Sequence, residues 1–130
     1  MQEAILLTVA GVIEAATGIG LVLAPGLVAT LLLGVTLPES GAVVARVAGI
    51  TLVALSVACV LARGSGDKFP VLAAMLTYNV LIPILLAFLG IEGKYVGVLL
   101  WPAVVVHAAL AVLFVRACLR SQAGLAPPAL

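Results

Sequence analysis

A chain of 130 residues has room for one domain, and 65% of these residues are apolar while 8% carry charge, for a mean hydropathy of +1.42. Soluble domains carry roughly a quarter of their residues as Asp, Glu, Lys or Arg, so six Lys and Arg with five Asp and Glu cannot clothe a globule in water, and a bilayer is the medium that fits. The formal charge of +1 leaves neither a basic tract nor an acidic tail, which argues against nucleic acid as a partner.

Four apolar stretches are each long enough for the roughly 20 helical residues that cross a hydrocarbon core. The first is predicted over about 4–24, where Pro25-Gly26 punctuates it. The apolar piece that follows, Leu27 to Gly34, is too short to span and is expected to lie at the interface or re-enter. The second span, about 37–63, opens on Thr36-Leu37-Pro38-Glu39, whose T-x-x-E spacing is that of a capping box with proline in the first turn. Gly64-Ser65-Gly66-Asp67 ends it, and Asp67 is placed to accept from the orphan backbone donors that open the third span, about 69–89. Gly90 and Gly93 close that span, the fourth covers about 96–120, and residues 124–130, with Pro127-Pro128, read as a disordered tail. The expected fold class is therefore all-α, an integral membrane four-helix bundle over residues 1–123 with a short interfacial or re-entrant segment after helix 1.

Four crossings bring both termini and the middle loop to one side. Arg63, Lys68, Arg116 and Arg120 fall there, against Lys94 alone on the other, so the positive-inside rule places the termini in the cytoplasm and the chain in the inner membrane. Tyr95 and Trp101 then sit near the outer interface and Phe69 near the inner one. Gln2 and Glu3 supply no positive n-region, so the first stretch is expected to be a mature span and not a secretion signal. Cys59 and Cys118 belong to no C-x-x-C or His-bearing spacing and read as small apolar filler. The two halves of the chain do not align as a repeat, so no inverted-repeat argument applies.

Chemistry in such a chain has to come from within the spans, and each span supplies one polar residue out of place in lipid: Glu14, Arg46, Asn79 and His107. Glu14, Asn79 and His107 all fall near mid-depth, whereas Arg46 lies nearer the outer face. A charged side chain at a helix centre costs about 2.5 to 3.5 kcal/mol on insertion scales, so these groups should turn inward and face one another. Small residues flank them: Gly11, Ala15 and Gly18 around Glu14, Ala42 and Gly49 around Arg46, which lets helix backbones approach. Pro83 removes the amide that would bond the Asn79 carbonyl, and Tyr78 and Thr77 adjoin this notch. Glu14 and Arg46 read as an ion pair that fixes helix pairing, although the guanidinium must reach down by about 7 Å at a rise of about 1.5 Å per residue. Structural readings stand beside the functional ones: a packed core histidine at His107 and interhelical glue at Asn79.

One histidine is too few for a bis-histidine haem, and no E-x-x-H or H-x-x-x-H spacing offers a zinc or di-iron site, so no metal is expected and no cofactor is named. Ser56 with His107 and Glu14 lacks oxyanion donors, and Gly18-x-Gly20 lacks the strand and lysine of a phosphate loop. Two classes survive. In one, Glu14, Arg46, Tyr78, Asn79 and His107 give an apolar pocket its few polar contacts with a quinone, isoprenoid or lipid tail, in a binding protein, a homo-oligomer or an accessory subunit of a larger membrane complex. In the other, Glu14 exchanges a proton for a lipophilic cation; its place in a short four-helix chain resembles the small multidrug resistance exporters. Whether the chain is an enzyme is left open at this level.

A broader resemblance rests on the length, a first span ending Leu23-Ala24-Pro25-Gly26, a second carrying Arg46-Val47-Ala48-Gly49, then Tyr78-Asn79 and Trp101-Pro102 with His107 downstream. In these features the chain resembles small bacterial four-helix membrane proteins of the DoxX-like type. That resemblance implies a four-helix membrane fold and a link to quinone-dependent oxidation in some relatives; it carries over no catalytic residues.

Overall fold

The computed structural model describes residues 2–123, which form five helices: α1 (Gln2–Leu23), α2 (Pro25–Leu33), α3 (Glu39–Ala62), α4 (Phe69–Ile91) and α5 (Leu100–Ala123). The expected tail at 124–130 lies outside the described residues. α1, α3, α4 and α5 are long and apolar enough to cross a membrane. The short apolar piece after the first span is α2, nine residues long. Pro25 opens it, where a missing amide costs no hydrogen bond. Gly34, at φ +73°, closes it in the left-handed conformation and donates its amide to the Thr30 carbonyl at 2.9 Å.

Lys68 occupies the N-cap position of α4, and Asp67, one residue before it, accepts from the Phe69 amide with Oδ1 at 3.0 Å. Two boundaries differ from expectation. The capping box at Thr36 does not form: Pro38 occupies the N-cap position of α3 in an extended conformation, with no side-chain cap bond, and Thr36 stays outside the helix. A proline biases the residue before it away from helical geometry, which cuts Thr36 off from the first turn. The last span begins at Leu100, not 96, and the residues before it pack as an irregular segment against α2. Val96 donates to the Leu33 carbonyl at 3.1 Å and Leu99 to the Leu31 carbonyl at 2.8 Å, which serves two of the orphan carbonyls at the end of α2. Gly97 sits between them, and a Cβ there would overlap the backbone of Leu31 and Leu32.

The long helices associate as two antiparallel pairs, α1 with α3 and α4 with α5. In the first pair the backbones nearly touch: a Cβ added at Gly18 would lie 2.7 Å from the Gly49 carbonyl oxygen, and one at Gly49 would lie 2.6 Å from that of Gly18. Without water in the bilayer, such close packing of small residues is what holds helices together. In the second pair Gly90 accommodates Leu100 and Trp101. At the end of the bundle that holds the termini, the pairs are joined by Leu7, Cys59, Leu72, Met75, Leu110 and Phe114, with Cys118 alongside, so both cysteines are buried filler. Arg120 donates to the Gln2 side chain there, tying α5 to α1. Exposed Val44, Leu61, Ile84 and Val105 give the bundle the apolar exterior that lipid contact requires.

Candidate functional site

Asn79 is fully buried on α4. Its Nδ2 donates to the Met75 carbonyl one turn back at 2.9 Å, and its Oδ1 lies 2.9 Å from Nδ1 of His107 on α5. These two contacts decide the imidazole tautomer. The Met75 carbonyl can only accept, so the amide must turn its nitrogen toward it and its oxygen toward the ring. An oxygen facing Nδ1 requires that nitrogen to carry the hydrogen, and the neutral ring then offers Nε2 as a bare acceptor. Pro83 is buried one turn further along α4 and leaves the Asn79 carbonyl without its usual helical donor.

Tyr78 meets the His107 ring edge to face, with centroids 5.6 Å apart and planes at 80°. Glu14 of α1 lies near the Tyr78 side chain; it is 1% exposed, and its Oε1 has no hydrogen-bond partner among the described residues. The Cys59 thiol of α3 is another neighbour of that carboxyl. Tyr78, His107 and Asn79 thus form a polar run across α4 and α5, with Glu14 of α1 beside it. Above them, away from the termini, the two helix pairs and α2 enclose a cleft of about 820 Å³. Ile82, Leu86, Val106, Leu52, Leu31 and Leu32 make its walls mainly apolar, and Tyr78 and His107 bring the polar run to its surface.

Arg46 does not join this run. It is exposed, and its Nε donates to the Val22 carbonyl at 3.2 Å. No ion pair links it to Glu14, whose Oε1 is unpartnered. The reason lies in the break between α1 and α2: Val22 is in the last turn of α1, where carbonyls have no intrahelical donor and the helix dipole favours a cation. Arg46 caps that end, about 12 Å along α1 from Glu14 at a rise of about 1.5 Å per residue.

Sequence reasoning missed the part of α2 in the cleft, where Val28, Leu31 and Leu32 form a wall. An apolar nine-residue helix carries no mark of which neighbour it covers. It also missed Thr17 and Thr51, which line the cleft with hydroxyls turned back onto the carbonyls of Ile13 and Val47. Among the described residues no three His, Cys, Asp or Glu side chains converge as a metal site needs. No family model, curated protein or solved structure matches the chain.

Proposed function

We propose that this small membrane protein holds a lipophilic molecule, such as a quinone, an isoprenoid or a lipid tail, in the cleft between its two helix pairs, acting alone or as an accessory subunit of a membrane complex. The supporting observation is the cleft itself: about 820 Å³, apolar walls, and two polar side chains, Tyr78 and His107, converging from different helices. Small-molecule sites share that character. Asn79 supports His107, Glu14 stands behind Tyr78, and Arg46 belongs to the scaffold. The termini are taken to be cytoplasmic from the Lys and Arg distribution, and the DoxX-like resemblance agrees with a role at the lipophilic interior of a membrane.

The experiment is native mass spectrometry of protein released from mild detergent, wild type against Ala103→Phe, which puts a ring into the cleft from its α5 wall. A bound species in the wild type that is lost from a folded Ala103→Phe supports the proposal. A wild type without a bound species, or one equally occupied in Ala103→Phe, rejects it. A second reading, proton-coupled export of a lipophilic cation, is favoured by Glu14 being buried and free of Arg46. It requires proton release on adding such a cation, abolished in Glu14→Gln.

A further inference from the structure

The cleft presents an unusual balance of donors and acceptors. Thr17 and Thr51 have spent their hydrogens on their own helices, so at the cleft their oxygens can only accept. His107 Nδ1 is committed to Asn79. His107 Nε2 has no hydrogen-bond partner among the described residues and keeps accessible surface on a side chain that lines the cleft. The Asn79 to Met75 bond makes that nitrogen a lone pair and not a donor. Tyr78, packed edge-on against the ring, limits its rotation.

We propose that the cleft selects amphiphiles whose head is an uncharged hydroxyl, an alcohol or phenol, which donates its hydrogen bond to His107 Nε2 while the hydrocarbon fills the apolar walls. This rests on the reading that the cleft binds a lipophilic molecule and adds what its head must be. At His107 a ketone or ether head would set an oxygen lone pair against the nitrogen lone pair and leave that nitrogen without a donor, so a quinol fits this position and the quinone named above does not. A carboxylate head would meet the same lone pair with Glu14 close by. An ammonium head would have to desolvate its charge among Ile82, Leu86 and Val106.

The test uses probes with one chain and different heads: farnesol, its methyl ether and farnesylamine, titrated into the purified full-length protein in detergent. Farnesol is expected to bind roughly 5- to 10-fold more tightly than the ether, the ratio that about 1 kcal/mol of hydrogen bond supplies. That preference should fall to about one in His107→Phe, with the affinity for the ether kept, and all binding should be lost in Ala103→Phe. The chain has one histidine, so nitrogen NMR on the wild type reads the tautomer without any variant. The expected spectrum has a protonated Nδ1 and an unprotonated Nε2.

Equal binding of farnesol and ether in the wild type overturns the assignment of the head and leaves the cleft as a lipophile site. So does tighter binding of farnesylamine, a preference that survives in His107→Phe, or a protonated Nε2. Binding of none of the three probes rejects the cleft reading together with this one. Should His107→Phe fail to fold, the wild-type probe ratio and spectrum decide the matter.

Discussion

Replacing Gly49 by alanine adds one methyl group where α1 and α3 cross. The new Cβ would stand 2.6 Å from the Gly18 carbonyl oxygen, 2.9 Å from Leu21 Cβ and 3.0 Å from Val22 Cγ2. An unstrained contact between heavy atoms lies at about 3.5–4.0 Å. The nearest obstacle is backbone, which cannot swing aside, so the helices must part by about 1 Å along the crossing. Overpacking of this kind costs about 1–3 kcal/mol, while exchanging glycine for alanine inside a helix returns up to about 1 kcal/mol. The expected net is a loss of about 1–2 kcal/mol. Gly26→Ala is the internal control: nothing lies within 4 Å of its added Cβ, so only the favourable helix propensity operates and the sign reverses. Equilibrium unfolding in mixed detergent measures both. Because the first methyl already separates the helices, Gly18→Ala with Gly49→Ala should cost less than the two losses added together. Gly49→Ala at or above wild-type stability, or strict additivity of the pair, would refute a crossing that depends on backbone contact.

Glu14→Gln and Arg46→Ala should show a coupling below about 0.5 kcal/mol in a double-mutant cycle, since Arg46 serves Val22 and not Glu14; a coupling above about 1 kcal/mol would mean that the two charges do pair. Gly97→Ala forces residues 96–99 off α2 and should cost about 1–3 kcal/mol, with faster amide exchange at Val96 and Leu99, whose donors face α2 carbonyls. Unchanged exchange at both amides would show that this seam does not hold α2.

The helical spans were legible because a hydrocarbon core imposes length and apolarity directly on the chain, whereas Pro25 was read as the end of the first span and opens α2 instead. Gly18 and Gly49 stood out as small residues near the polar positions, and they prove to be where α1 meets α3. Of the residues read as sharing one depth, Asn79 and His107 are in contact. Depth is readable because it is counted along the helix. Direction around the axis was not readable for Arg46, because α3 is apolar on every side and offers no polar stripe to orient it. Its partner also depends on an orphan carbonyl that exists only because α1 ends at Leu23. The late start of α5 was hidden for a similar reason. Val96, Val98 and Leu99 look like a continuing span, and only the nearby end of α2 shows why their backbone is engaged elsewhere.

The buried layer that joins the two helix pairs and the cleft lie in different halves of this bundle. Leu7, Leu72, Met75 and Phe114 hold the helix pairs together near the chain ends, whereas Ile82, Val106 and Ala103 shape the cleft in the other half. Proteins whose binding residues are also their structural core trade one property against the other when they change. Here, exchanges such as Val106→Ile or Ile82→Val can reshape the cleft without touching the layer that joins the two helix pairs. The shape of that opening is therefore free to vary in one half of the bundle while the joint between the pairs stays as it is.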